Sequence, residues 1–130
     1  MNSYVTDTMA LILFQERRKM PNTVKAIYEE VRNGNRKLFI PSIVLAEIAY
    51  LSEKERIDTT ISEVKELLNN CETITELPLS LEIIETAFEI SDVPELHDRL
   101  IAGAAREINA PLVTNDPDIT NSTYLKSIWK

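Results

Sequence analysis

The sequence is poor in the residues that build several common kinds of functional site. It has two glycines, Gly34 and Gly103, which excludes a glycine-rich phosphate-binding loop. The single cysteine, Cys71, excludes both an internal disulfide and a zinc site made of cysteines. His97 is the only histidine, so a histidine-rich metal site and a catalytic pair of histidines are excluded as well. Any chemistry must therefore depend on other residue types.

Long apolar runs and an excess of positive charge are also missing. No apolar run approaches the roughly 20 residues that span a bilayer, so we expect no membrane association. The N-terminus is apolar and then basic, the reverse of a secretory signal, and together with the scarcity of cysteine this predicts a cytoplasmic protein. The net charge of -7 gives no general attraction for nucleic acid. Local basic residues or bound metal ions would have to attract RNA or DNA.

What the chain does contain is typical of a globular α/β protein. With 130 residues, 44% of them hydrophobic, residues 1–130 are expected to form a single domain. Strands are predicted at residues 3–6, 38–40, 72–77, 111–114 and 127–129. Helices are predicted at residues 8–18, 21–35, 43–51, 59–70, 78–90 and 95–110. This alternation predicts a central parallel sheet of four to five strands with helices on both sides.

Acidic residues follow two of the predicted strands directly. Asp7 comes after strand 3–6, and Asp116 comes after strand 111–114. The carboxyl ends of parallel strands lie at one edge of the sheet, where ligands of such folds bind. We therefore expect both carboxylates at that edge, as ligands of a cation.

Glu47 stands out because the helix around it, residues 43–51, is apolar almost all the way round and is predicted to be buried. A buried carboxylate without a partner costs several kcal/mol or takes up a proton. That cost is avoided if Glu47 faces a crevice that holds a metal ion or an arginine. The helix starts just after strand 38–40, which places Glu47 near the edge that carries Asp7.

Asp98 is the fourth candidate, in the first turn of a helix. The helix dipole is expected to lower the pKa of its carboxyl group. The small residues 102–105 are expected to let this helix pack closely against the sheet. Asp98 would then lie near the same crevice.

Each acid also has a structural interpretation. Asp7 and Asp98 are suitable helix caps, and Asp116 and Asp118 are suitable turn residues around Pro117. Taken singly, these interpretations are favoured, whereas four acids converging on one edge favour a metal site. An all-carboxylate site suits Mg²⁺ or Mn²⁺ and not zinc. Such an ion activates a bound water and stabilises charge on a phosphate, so phosphodiester hydrolysis is the expected reaction.

Four segments resemble the PIN-domain ribonucleases, in particular the VapC-type toxins of toxin–antitoxin pairs. They are "SYVTDTMALI", "IPSIVLAEI", "HDRLIAGAA" and "LVTNDPDI", and the similarity covers essentially the whole chain. The resemblance implies a PIN-like three-layer α/β/α sandwich and a Mg²⁺- or Mn²⁺-dependent endoribonuclease. It also implies an RNA substrate, a cognate antitoxin and a homodimer. The acidic residues of the family match Asp7, Glu47, Asp98 and Asp116.

The resemblance extends to two auxiliary residues and has one departure. Thr114 matches a hydroxyl residue of the family's T-x-D turn, and Asp118 matches an acid that is sometimes found there. Met9 stands where the family commonly has serine, which removes a polar contact but no carboxylate. The segment "QERRK" (15–19) is able to contact phosphates, although a solvated helix end is the favoured interpretation.

Other functions remain as alternatives. The first is a PIN-like module that binds RNA or protein without cutting, which the retention of four mutually repelling acids argues against. The second is a phosphatase of the haloacid-dehalogenase type or a receiver domain. A phosphatase of that type needs Asp-x-Asp after the first strand, and here Met9 takes the place of the second aspartate. A receiver needs an aspartate at the end of its third strand, and residues 72–80 contain none.

Overall fold

The computed structural model describes residues 2–130, and its centre is a β-sheet. Within these residues the sheet has five strands: β1 (Ser3–Thr6), β2 (Lys37–Pro41), β3 (Ile74–Leu77), β4 (Leu112–Val113) and β5 (Ser127–Ile128). They lie in the order β3-β2-β1-β4-β5, and every neighbouring pair is parallel. The predicted parallel sheet is therefore confirmed.

Helices fill the connections between the strands. Over residues 2–130 they are α1 (Thr8–Gln15), α2 (Asn22–Arg32), α3 (Ser42–Glu53), α4 (Ile61–Asn70), α5 (Leu81–Glu89), α6 (Leu96–Glu107) and α7 (Pro117–Thr120). α1 ends three residues before its predicted end, and Arg17 just beyond it has a left-handed φ of 54°. α7 forms where only a turn was predicted. No helix in the described part of the chain is both long and apolar enough to cross a membrane.

The central strands are covered on both faces. Successive residues of a strand point to opposite faces of the sheet. Val5 and Thr6 of β1 are both fully buried, and so are Leu112 and Val113 of β4. Helices must therefore shield both sides, which confirms the α/β/α arrangement. Whether residues 1–130 form a single domain stays a prediction.

Gly103 sets the distance between α5 and α6. A Cβ atom at this position would lie 2.5 Å from Cβ of Ala87 and 2.7 Å from its Cα. The close approach at Gly103 is therefore to another helix, whereas the sequence predicted one to the sheet. It fixes the position of α6, the helix that carries Asp98.

The prediction that the helix around Glu47 is buried is wrong in part. In α3 only Val44 and Ile48 are fully buried, and Tyr50 is 56 % exposed. The apolar pattern is ambiguous because a helix that packs through one face leaves its other apolar residues partly exposed. The other face of α3 reaches a cavity at the sheet edge.

The connections that follow β1 and β4 run towards opposite edges of the sheet. From β1 the chain runs through α1 and α2 to β2, on one side, and from β4 it runs through α7 to β5, on the other. A pair of neighbouring strands of this kind leaves a crevice at its carboxyl ends. The backbone N–H of Asp7 donates to the carbonyl of Val113 at 3.1 Å, so the two strand ends meet there.

Candidate active site

A cavity of about 310 Å³ opens at this crevice. It is lined by all four predicted acids, Asp7, Glu47, Asp98 and Asp116, and we call it the acidic cavity. The structure thus brings together four carboxylates that are widely separated in the sequence. Their roles in catalysis and metal binding stay predictions. The other lining residues are Thr8, Met9, Ile101 and Asn115.

Asp7 is the most buried of the four acids, with 8 % of its surface exposed. Its Oδ1 accepts a hydrogen bond from the backbone N–H of Ala10 at 2.8 Å and so caps α1. Its Oδ2 accepts one from the Thr114 hydroxyl at 2.5 Å. The capping interpretation is therefore correct for one oxygen, yet the same carboxylate still lines the cavity.

The pKa of Asp7 is raised to about 6, mainly because burial disfavours the charged form. The hydrogen bonds from Thr114 and Ala10 act in the opposite direction. The negative charges of Asp116 and Glu47 raise the pKa further, since both lie close enough to repel the ionised group. A cation in the cavity would relieve this repulsion.

Glu47 reaches the cavity from α3 and keeps contact with solvent. Its Oε1 accepts a hydrogen bond from the Thr8 hydroxyl at 2.7 Å. His97 Nδ1 lies 4.0 Å from Glu47 Oε2, and both side chains are partly exposed. The Glu47 carboxylate is therefore not held in a buried ion pair. The Thr8 hydroxyl holds one of its oxygens and leaves the other available.

Asp98 differs from what the sequence predicted. Glu95 caps α6 by accepting the backbone N–H of Asp98 at 2.7 Å, so Asp98 is not the cap. The prediction that the helix dipole lowers the pKa of Asp98 is wrong. Burial raises this pKa to about 7, and the nearby charge of Asp116 is the next largest cause. Burial, together with this neighbouring full charge, outweighs the partial charge of the helix end.

Asp116 caps α7 at the end of β4. Its Oδ1 accepts the backbone N–H of Asp118 at 2.9 Å. Its own backbone N–H donates to the Thr114 hydroxyl oxygen at 3.1 Å, so Thr114 links Asp116 to Asp7. Asp118 is exposed and does not line the cavity. Thr114 thus contacts two of the four acids, whereas the side chain of Asp118 lies outside the cavity, and the auxiliary role of each stays a prediction.

The donor set fits a hard divalent ion in an open site. Among residues 2–130, no group of three or more His, Cys, Asp or Glu side chains is placed to hold a metal ion. Mg²⁺ does not need such a group, because it is usually held by one or two carboxylates, several waters and substrate phosphates. All four acids offer oxygen ligands, and repulsion from neighbouring carboxylates adds to the effect of burial in raising the pKa values of Asp7 and Asp98. One or two of these carboxylates, together with water and substrate phosphate, would hold the ion.

Two further polar residues of the cavity were not predicted as functional. Thr8 orients Glu47, and Asn115 lines the cavity between the strand end and Asp116. Each is the sequence neighbour of a predicted acid. That adjacency is the only signal in the sequence, and it does not reveal that Thr8 reaches a residue 39 positions away.

The fold and the site together define an α/β protein with an acidic cavity at the carboxyl ends of β1 and β4, where the chain connections diverge. The chain belongs to the PIN-domain family, whose pattern matches residues 4–122. The members of this family are nucleases. The resemblance seen in the sequence is thereby confirmed. No curated protein matches the chain significantly.

Several solved structures share the fold. VapBC2 from Rickettsia felis, bound to a DNA fragment from its promoter, is 21% identical, with a TM-score of 0.69 over 98% of this chain and 99% of that chain. VapBC-1 from nontypeable Haemophilus influenzae is 20% identical, with a TM-score of 0.66 over 97% and 96%. A toxin–antitoxin complex from Klebsiella pneumoniae is 16% identical, with a TM-score of 0.66 over 94% of each chain. At these identities the likeness establishes the fold alone.

Proposed function

We propose that this protein is a metal-dependent endoribonuclease and the toxin of a toxin–antitoxin pair. The observation that carries the proposal is the convergence of Asp7, Glu47, Asp98 and Asp116 on one cavity at the carboxyl edge of the sheet. Mg²⁺ or Mn²⁺ bound there would activate a water molecule and stabilise charge on the scissile phosphate. The cytoplasm, where RNA is abundant and cysteines stay reduced, is the proposed location.

The residues of the cavity have different parts in this proposal. Asp7 is held in place through both oxygens, so it supplies a carboxylate with a fixed position. Glu47 and Asp98 face it from α3 and α6. Thr8 and Thr114 are positioning residues, because each donates its hydroxyl proton to one of the acids. The negative charge of the four acids requires a cation before a phosphate is able to approach.

An antitoxin partner is supported by the structures that share the fold. The similar proteins from Rickettsia felis, Haemophilus influenzae and Klebsiella pneumoniae were solved as VapBC or toxin–antitoxin complexes. We propose that a cognate antitoxin likewise binds this chain and blocks the acidic cavity. Co-purification of the chain with the product of a neighbouring reading frame, and loss of RNA cleavage in that complex, would be the expected result.

A homodimer is supported by an apolar surface on α5. Leu81, Ile84 and Phe88 lie on one side of this helix, and Leu81 and Phe88 are 68 % and 57 % exposed. Leu96, at the start of α6, is also exposed. Exposed apolar residues that cluster in this way are typical of protein interfaces. Light scattering should give twice the mass of one chain for the wild type. The double variant Leu81→Asp with Phe88→Asp should give the mass of a single chain.

The cleavage assay compares wild type with Asp7→Asn in the presence of Mg²⁺ or Mn²⁺. The substitution keeps the shape of the side chain and removes the charge. We expect RNA cleavage by the wild type and at least a roughly hundredfold loss in the variant, because changes to mere supporting residues of metal sites already cost about 10–100-fold. Asp58→Asn is the matched control, since Asp58 is exposed and lies outside the cavity.

The outcomes of this assay separate the candidate functions. Equal cleavage by wild type and Asp7→Asn would remove the acidic cavity from the mechanism. Binding of RNA without cleavage, by folded protein free of any inhibitor, would favour the non-cleaving module. Asp118→Asn provides a finer test, and its exposed position predicts activity close to that of the wild type.

A further inference from the structure

The positive charge of the chain is concentrated in one segment. Residues 17–37 contain seven of the 14 basic residues but only two of the 21 acidic ones. The segment therefore carries a net charge of +5, and the rest of the chain carries −12. An acidic protein thus has one strongly basic region. This region lies apart from the acidic cavity and has no part in the function proposed above.

The basic residues of this segment line a groove between the end of α1 and α2. The groove has a volume of about 650 Å³, and we call it the basic groove. Glu29 is its only acidic lining residue. Its cations are Arg17, Arg18, Lys19, Lys25 and Arg32.

Most of these cations have no anionic partner. Among the described residues, Arg18 forms the only ion pair of the five, at 3.7 Å from Glu16 and with its side chain 54% exposed. All five cations are exposed. Although the protein has more acidic than basic residues, these cations are left largely without ion pairs. They are therefore available to an anionic ligand.

The aromatic residue of the groove supports a cation and offers no free face. The guanidinium of Arg32 lies over the Phe14 ring, 5.1 Å from its centroid. The Phe14 ring also stacks on Tyr28, with centroids 4.6 Å apart. A nucleotide base therefore has no ring to stack on. The groove is suited to phosphates of a nucleic-acid backbone, which need only cations.

A protein partner fits the groove less well. Protein interfaces depend on exposed apolar or aromatic anchors that enter pockets. The apolar residues of the groove, Phe14 and Met20, are only partly exposed, and the strongly exposed ones of the described chain lie elsewhere. The combination of many free cations with no exposed anchor favours a polyanion.

The position of the groove relates it to the acidic cavity. α1 begins beside the cavity at Thr8, and Phe14, near the end of α1, lines the groove. A helix of eight residues is about 12 Å long at roughly 1.5 Å per residue. An RNA strand that is held in the cavity would reach the groove within a few nucleotides.

We propose that the basic groove is a second RNA-binding surface, which holds the phosphate backbone of the substrate away from the bond that is cut. This inference rests on the proposed ribonuclease function. It predicts that long RNA is bound through both surfaces, whereas an RNA of only a few nucleotides is bound through the acidic cavity alone.

The test is a charge-reversal variant, Arg17→Glu with Lys19→Glu and Lys25→Glu. The matched control makes the same change in charge at exposed positions outside the groove: Lys65→Glu, Lys126→Glu and Lys130→Glu. Both variants and the wild type are assayed with a tetranucleotide and with a mixed-sequence RNA of several tens of nucleotides. Cleavage gives kcat and KM, and fluorescence anisotropy of labelled RNA without metal gives Kd. Thermal melting verifies that each variant is folded.

The expected result is specific to long RNA. For the groove variant we expect KM and Kd to rise about tenfold or more, kcat to stay unchanged and the tetranucleotide to be cleaved normally. The dependence of log Kd on log salt should become shallower by about 2, at roughly 0.7 for each of three lost phosphate contacts. The control variant should change these quantities much less.

The contrary results are distinguishable from a failure of the proposed function. Equal Kd and salt dependence in the groove and control variants would overturn the second surface, even if the wild type cleaves RNA. The same would follow if only antitoxin binding were lost, which would make the groove a protein-binding site. Absence of cleavage by the wild type would instead overturn the nuclease proposal, while anisotropy would still decide whether the groove binds RNA.

Discussion

The acidic cavity and the basic groove lie at opposite ends of α1, and they hold their charges in different ways. In the cavity, Asp7 is buried and fixed by hydrogen bonds from Thr114 and Ala10. In the groove, Arg17 and Lys25 are exposed and, among residues 2–130, lack ion pairs. The cavity depends on the packing of four elements, whereas the groove depends on two neighbouring helices.

Buried and exposed clusters of like charge therefore have different consequences for the protein. Like charges in a buried cluster raise one another's pKa and weaken the fold until a counter-ion binds. Exposed like charges are screened by water and salt, so they weaken the fold little and attract distant polyanions. We therefore expect changes in the cavity to alter catalysis and stability, and changes in the groove to alter affinity for long RNA.

The largest expected effect comes from Glu47→Gln in the cavity. Removing this charge should lower kcat for RNA cleavage at least about a hundredfold, because a metal ligand matters more than its supporting residues. KM for long RNA should change little, since the groove is intact. Glu53→Gln, on the same helix but exposed and outside the cavity, is the control. If Glu47→Gln instead weakened the binding of long RNA and left kcat unchanged, the cavity and the groove would not have separate roles.

Addition of Mg²⁺ or Mn²⁺ should raise the melting temperature at about pH 8, where the cavity carboxylates are charged. At a hundredfold excess over Kd, binding linkage contributes about 2.7 kcal/mol, which corresponds to roughly 10 °C for a chain of this size. Differential scanning fluorimetry measures this shift, and Asp7→Asn should reduce it. No shift at millimolar metal would contradict a site formed in the free protein.

A core substitution on α6 should disturb the cavity and leave the groove intact. In Gly103→Ala the new methyl group would lie 2.5 Å from Cβ of Ala87, and such overpacking costs about 1–3 kcal/mol. We expect a lower melting temperature and weaker metal binding, because α6 carries Asp98. Anisotropy with long RNA in the absence of metal should be unchanged.

The matched control for this substitution is the pair Gly103→Ala with Ala87→Gly, which exchanges the two residues and restores the space between the helices. If the pair is as unstable as the sum of its single changes, the contact with Ala87 does not explain the effect.

The smallest expected effect is a pH dependence of stability without metal. The folded pKa values of Asp7 and Asp98, about 6 and about 7, lie above their usual value of 3.8. The folded state therefore binds more protons than the unfolded state between about pH 4 and 7, and the free energy of unfolding should fall as the pH rises through this range. Screening by solvent reduces the contribution of Asp98, because its side chain is partly exposed.

Chemical denaturation at a series of pH values measures this effect, and the groove variant provides the comparison. Arg17→Glu with Lys19→Glu and Lys25→Glu should keep the same slope of stability against pH below about pH 7. A slope of opposite sign in the wild type would mean that the cavity acids are stabilised in their charged form.

From the sequence, the alternation of strands with all helices except α7, the parallel sheet and the placement of Asp7 and Asp116 at one edge were predictable. Alternating periodicities are local properties, and a parallel sheet brings the carboxyl ends of its strands together whatever the details of packing. The choice of the four acids followed from the same logic and from the resemblance to PIN domains. The family match confirms that resemblance.

The tertiary structure alone decided what each side chain does. The contact between Thr8 and Glu47, the link from Thr114 to Asp7 and the raised pKa of Asp98 all depend on residues that are distant in the chain. The same holds for the basic groove, where the "QERRK" segment becomes a surface only because α2 adds Lys25 and Arg32. Periodicity describes neighbours in sequence, whereas burial and electrostatic repulsion depend on neighbours in space.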